Sequence, residues 1–142
     1  MKQPKPTIAV VENDSAVCEA LDRLLRAAGF RTQSFPSAET FLSSTEAESA
    51  DCLILDIHLG GMSGFDLQQR LAESGSRLPV IFITADETTA TRQRAQRANC
   101  SAFLLKPVEA TPLIEAIHRA IHPWTCGARD RTAPKISGES AN

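Results

Sequence analysis

The sequence predicts an α/β domain: a doubly wound, five-stranded parallel sheet with helices on both faces. Three observations lead there. Short β-like runs alternate with stretches of helical periodicity, strand before helix, along most of the chain. Most of these runs are continuously apolar rather than alternating, which marks strands buried on both faces. The whole is short enough, at 142 residues, for a single domain. Right-handed crossovers then favour the strand order 2-1-3-4-5, a three-layer sandwich.

Each element has its own warrant. Thr7 to Val11 is an unbroken apolar strand. Asp14 to Ala28 carries Val17, Leu21, Leu24, Leu25 and Ala28 at helical spacing, with Asp14 as its cap and Gly29 as the stop. Phe30 to Phe35 is a more polar strand, as expected at a sheet edge. Ser37 can cap a short helix bearing Ala38, Phe41 and Leu42. Cys52 to Leu55 is a buried strand that runs directly into Asp56. The glycines of His58 to Gly64 make a loop, and Phe65 to Ser74 a helix with Phe65, Leu67 and Leu71 facing the core. Pro79 to Ile83 is the fourth strand and ends at Thr84. Thr88 to Ala98 is helical, but its only apolar residues are alanines, so it buries little and should move most easily. Ala102 to Leu105 is the fifth strand. Ile114, Ile117 and Ile121 mark a last helix from about Glu109 to His122.

Composition narrows the function. Net charge is −2, from 15 basic and 17 acidic residues, against the basic excess of a nucleic-acid-coating surface. No apolar run approaches the roughly 20 residues that span a bilayer, and the N-terminus lacks the pattern of a signal peptide. A cytoplasmic protein with no membrane and no direct nucleic-acid partner is expected. Cys18, Cys52, Cys100 and Cys126 lie far apart without zinc spacing; Cys18 and Cys52 read as fillers of apolar slots, Cys126 as an exposed thiol. Residues 5–122 read as the folded domain and 123–142 as a flexible, polar tail. That tail has no helix-turn-helix pattern and no room for a DNA-binding output domain, so a stand-alone module is expected, either a natural single-domain protein or a part cut from a longer one.

In an open α/β sheet, ligands bind beyond the carboxyl ends of the strands, where the strand order reverses. Those ends carry Glu12-Asn13-Asp14, Asp56, Thr84-Ala85 and Lys106-Pro107. One cleft therefore gathers carboxylates, an amide, a hydroxyl and an amine. No glycine-rich phosphate cradle accompanies them. Clustered carboxylates repel a phosphate unless a cation intervenes, and oxygen-only ligands suit Mg²⁺ or Mn²⁺.

Together these residues resemble the receiver domain of two-component response regulators, over roughly residues 5 to 122. The marks are the acidic pair after the first strand, the Asp56 loop ending Met62-Ser-Gly64, Thr84-Ala85 and Lys106-Pro107. Leu78-Pro-Val-Ile-Phe-Ile-Thr84 and Phe103-Leu-Leu-Lys-Pro107 look most like receivers of nitrogen-fixation and nodulation regulators. The resemblance implies a flavodoxin-like fold. It implies Asp56 as phosphoacceptor, taking a phosphoryl group from the phosphohistidine of a histidine kinase or phosphotransfer protein. It further implies Mg²⁺ held by Glu12, Asn13, Asp56 and the His58 backbone carbonyl, and Lys106 paired with the phosphoryl group. Thr84 would donate its hydroxyl and Phe103 would be the switch aromatic. Lys106–Pro107 would be a cis peptide. The domain would act not as an enzyme but as a switch for an unknown downstream protein, with homodimerisation through the fourth helix, fifth strand and last helix.

Two positions depart from the family pattern. Asn13 stands where a second acid is usual, which keeps an oxygen but removes a charge. Gly60 stands where proline is typical, so Gly60-Gly61 should leave the loop less pre-organised. These departures frame the alternative of a pseudo-receiver, an interaction module that is not phosphorylated. His58, His118 and His122 read as solvent-facing side chains. A flavin- or nucleotide-binding protein of the same topology is disfavoured by the acids where its phosphate loop would need N–H donors.

Overall fold

The computed structural model describes residues 5–98 and 100–122. The expected tail at 123–142, with Trp124 and Cys126, lies outside the described residues. The first strand, β1 (Thr7–Val11), leads into α1 (Ser15–Ala27), then β2 (Arg31–Phe35) and α2 (Ala38–Leu42). A 3₁₀ turn at Glu46–Ser49 precedes β3 (Cys52–Asp56) and α3 (Gly64–Glu73). The chain continues through β4 (Val80–Thr84), α4 (Thr89–Arg97), β5 (Ala102–Leu105) and α5 (Ala110–Ile121). All five strands run parallel in the order β2-β1-β3-β4-β5, as the sequence predicts.

Strand pleating divides the apolar runs between two cores. Ala9, Val11, Leu53, Leu55, Val80 and Phe82 face α2, α3 and α4, where they meet Ala38, Phe41, Phe65, Leu67 and Ala95. Ile8, Val10, Cys52, Ile54, Ile81 and Ile83 face α1 and α5, against Leu21, Leu25, Leu113, Ala116 and Ile117. β1, β3 and β4 are thus covered on both faces, which is why their sequences do not alternate. β2 is the polar edge strand expected.

Local chemistry sets the boundaries. Asp14 caps α1 by accepting the N–H of Ala16 at 2.9 Å, and Ser37 caps α2 by accepting that of Thr40 at 3.0 Å. Ser63 and Asp66 form a reciprocal capping box at the start of α3, so that helix begins one residue before Phe65. Pro79 lacks an N–H, but its carbonyl accepts from Leu53 at 2.9 Å; the strand proper therefore opens at Val80. On α4 only Ala95 is buried. Arginine–aromatic stacking supplements that contact: the Arg94 guanidinium lies 4.4 Å from the Phe65 ring centroid and that of Arg92 5.6 Å from Phe103. Cys52 fills an apolar slot as expected. Cys18 does not: it is half-buried and its thiol donates to the Glu12 carbonyl at 3.2 Å.

Candidate functional site

The reversal of strand order falls between β1 and β3, and the residues that follow their carboxyl ends converge there. The Glu12 N–H extends the β1–β2 ladder by donating to the Phe35 carbonyl at 3.1 Å, which fixes the direction of its side chain. Lys106 is held likewise, donating its backbone N–H to the Thr84 carbonyl at 2.8 Å, and the Lys106–Pro107 peptide is cis. Glu12, Asp56 and Thr84 are the buried polar residues among the described ones, at 1%, 3% and 0% exposure. Polar groups so deeply buried on a hydrophobic sheet call for partners.

Those partners are largely one another. The Lys106 ammonium lies 2.7 Å from Glu12 Oε1 and 3.1 Å from Asp56 Oδ2. Asp56 Oδ1 accepts the His58 N–H at 3.2 Å, and Glu12 Oε2 that of Asp14 at 3.0 Å. Glu12 Oε1 is buried, and the Lys106 ammonium 2.7 Å away is its partner. Burial pushes the Glu12 carboxyl above its ordinary pKa, against the lowering influence of Lys106 and the Asp14 N–H. For Lys106, burial pulls the other way, but the two carboxylates outweigh it and leave the ammonium above its ordinary value. One ammonium is thus shared by two buried carboxylates.

The remaining expected residues lie on the strands and loops that carry this cluster. Thr84 Oγ1 accepts the Asp86 N–H at 3.0 Å, so its own proton can point to another oxygen. Asn13 is exposed at the rim, its amide nitrogen 4.0 Å from where a Gly60 Cβ would stand. Phe103 pairs with Phe82 across the β4–β5 ladder and is half-buried beneath Arg92. Gly64 is required by close approach: a Cβ there would meet the Asp56 carbonyl oxygen at 2.4 Å and Ile57 Cα at 2.8 Å.

Sequence reasoning missed Asp86 and the contact made by the His58 side chain. The His58 imidazole, though largely exposed as expected, lies 3.1 Å from Asp86 and links the loop after β3 to the loop after β4. Asp86 also accepts the Thr88 N–H at 2.9 Å and the Thr91 hydroxyl at 2.7 Å. These donors, the Thr88 N–H foremost, hold its carboxyl far below the usual carboxylate range. The Asp-x-Thr pattern of an Asx turn was a local signal for part of this; the partner 28 residues away was not.

Comparison with known proteins decides the family. Residues 8–118 match the response regulator receiver domain family. The chain belongs to that family. It is 36% identical over 137 residues to the response regulator protein TmoT of Ectopseudomonas mendocina, covering 96% of this chain and 61% of that protein. It is 35% identical over 113 residues to nodulation protein W of Bradyrhizobium diazoefficiens, covering 80% of this chain and 50% of that protein. The structure of the response regulator StyR superposes with a TM-score of 0.77 at 38% identity, over 91% of this chain and 66% of that one. The receiver therefore spans between half and two thirds of the length of these relatives. Their spread gives no preference for the nitrogen-fixation and nodulation type that the local motifs suggested.

A receiver domain is a self-phosphorylating module rather than an independent enzyme, and the family implies an active site that binds Mg²⁺. Among the described residues, no group of three or more His, Cys, Asp or Glu is arranged to hold a metal. The donors nonetheless suit a hard cation: the Glu12 and Asp56 carboxylates converge on one ammonium and offer oxygen ligands only. Among the described residues no helix is long and apolar enough to cross a membrane.

Proposed function

We propose that residues 5–122 are a phosphorylation-dependent switch of two-component signal transduction, with Asp56 as phosphoacceptor. The phosphoryl donor is the phosphohistidine of a histidine kinase or phosphotransfer protein, and the setting is cytoplasmic. The observation that carries this is one ammonium shared by two buried carboxylates at the carboxyl edge of a receiver-domain sheet. An Asp56 oxygen forms the new P–O bond as the P–N bond to imidazole breaks, and the departing ring nitrogen keeps that bond's electron pair. Mg²⁺ or Mn²⁺, held by Glu12, Asn13, Asp56 and the His58 carbonyl, would neutralise charge between the carboxylates and the phosphoryl oxygens.

The chain's own residues do the rest. Lys106 balances the carboxylate pair beforehand and pairs with the phosphoryl oxygens afterwards. Thr84 donates its hydroxyl to the same group, which draws the Asp86 loop inward with it. Phe103 turns in as that loop moves and leaves the Arg92 guanidinium uncovered. Support for a finer placement among nitrogen-fixation and nodulation regulators rests on the Leu78–Thr84 and Phe103–Pro107 motifs alone. Acetyl phosphate with Mg²⁺ should add one phosphoryl mass to the intact protein, and none to Asp56→Asn. A wild-type chain that stays unmodified under saturating donor favours the non-phosphorylated interaction module.

The output surface we assign to α4, β5 and α5, where a downstream protein or a second copy would dock. α4 buries only Ala95, and every β5 residue is half-buried, so this edge shifts at little energetic cost. Hydrogen exchange with and without beryllofluoride should show its largest changes in these three elements. Changes confined to α1 and α2 would contradict the assignment.

A further inference from the structure

We propose that Glu39, on α2, is a positioning residue for the phosphorylation loop, clasping Gly61 and Met62 so that the Gly60-Gly61 pair does not leave the loop slack. This rests on the receiver reading above for its consequence, though not for its geometry. Leu59 to Met62 joins two well-anchored points. Before it, the His58 N–H is bonded to Asp56; after it, Ser63, Gly64 and Asp66 lock the start of α3. Between them, Glu39 Oε2 accepts the Met62 N–H at 3.0 Å, the one side-chain hydrogen bond into this stretch among the described residues.

The glycines show that the contact is built in. The positive-φ glycines among the described residues are Gly29 and Gly75, so neither Gly60 nor Gly61 is there to adopt a left-handed backbone. At Gly60 a Cβ would make only ordinary contact with Asn13, at 4.0 Å. At Gly61 a Cβ would stand 2.9 Å from Glu39 Oε2 and 3.4 Å from Oε1. Gly61 is therefore the residue that lets the carboxylate lie against the loop. Glu39 is itself well placed to act as an anchor, because its neighbours Ala38 and Phe41 are buried at 0% and 3% exposure. The Met62 N–H foremost lowers the Glu39 pKa, so the acceptor is an anion at neutral pH and the bond is charge-assisted. Without the clasp, two glycines in succession would return much of the backbone freedom that the loop has lost.

The loop follows directly on His58 and faces Asn13, so its order bears on how the site receives a cation and a phosphoryl group. Three variants test this: Glu39→Ala removes the acceptor, Gly61→Ala pushes the carboxylate aside, and Glu39→Gln keeps a neutral acceptor. Amide exchange at Met62, read without metal or phosphodonor, should quicken about 3- to 10-fold in the first two and less in Glu39→Gln. The Mg²⁺ dissociation constant, followed by loop amide shifts in NMR, should rise by a similar factor, with the urea midpoint almost unmoved. The double variant Glu39→Ala/Gly61→Ala should be no worse than either single one, and Gly60→Pro should restore Glu39→Ala toward wild type. Unchanged Met62 exchange in Glu39→Ala overturns the proposal, as do losses that add in the double variant. A wild-type chain that takes no phosphoryl group while Met62 exchange still depends on Glu39 overturns the phosphorylation reading and upholds the clasp.

Discussion

Lys106→Met should destabilise the protein by about 3 kcal/mol at neutral pH and abolish efficient phosphorylation. The methionine stem fills much of the same volume, so packing changes little and the loss is electrostatic. Glu12 and Asp56 have 0% and 5% of their side-chain surface exposed, and Lys106 is the cation they share. Removing one partner of a buried ion pair leaves charge unpaired in a poorly solvated site, which typically costs about 3–5 kcal/mol. The 20% exposure of the lysine places the effect at the low end. Its pH dependence follows from the direction of the Glu12 shift. Burial already raises that carboxyl, and without the ammonium it rises further. A carboxyl raised in the folded state favours folding below its ordinary pKa, and that advantage is lost as pH climbs through the raised value. The deficit of Lys106→Met should therefore be largest at neutral pH and shrink as Glu12 becomes protonated. Urea denaturation at several pH values in metal-free buffer measures it; a deficit that does not shrink on acidification would contradict the charge argument.

Asn13→Asp should tighten Mg²⁺ binding about 10- to 100-fold, equivalent to roughly 1.4–2.8 kcal/mol, and speed phosphorylation. With Glu12 and Asp56 ionised, the cluster offers two negative charges, and the exposed Asn13 contributes only a neutral amide. A carboxylate at partly solvated separation from a divalent cation gains at most a few kcal/mol. Calorimetry or NMR titration checks this. If both affinity and rate are unchanged, Asn13 stands outside the metal site and its rim position is incidental.

How much of this was legible beforehand differs by the type of signal. The three central strands were, because burial on both faces writes a continuous apolar run into β1, β3 and β4. Strand order followed from chirality. The convergence of Glu12, Asp56 and Lys106 was legible because each sits at a strand's carboxyl end, and sheet topology alone brings such ends together. Boundaries moved by a residue where a cap or a proline decided them, as at Ser63 and Pro79. The 3₁₀ turn at Glu46–Ser49 went unread, since one turn of mostly exposed residues has no periodicity to detect. The contacts of Glu39 with Met62 and of His58 with Asp86 were also invisible. They join loops and helices 23 and 28 residues apart, and nothing local in either segment names the other. For the same reason Gly60-Gly61 read as slackness, whereas the structure pairs Gly61 with a carboxylate. The arginine stacking of α4 on Phe65 and Phe103 was not legible either, because it leaves no apolar periodicity.

Everything proposed for the switch depends on Asp56 being the atom-level acceptor, and borohydride trapping reads that directly. An aspartyl phosphate is a mixed anhydride that borohydride reduces to the alcohol, turning the aspartate into homoserine. The protein is incubated with acetyl phosphate and Mg²⁺, reduced, digested and sequenced by tandem mass spectrometry. Homoserine at position 56, absent when donor or Mg²⁺ is omitted, is the result expected. Homoserine at Asp14, Asp86 or another aspartate, or at none, would contradict the assignment of Asp56.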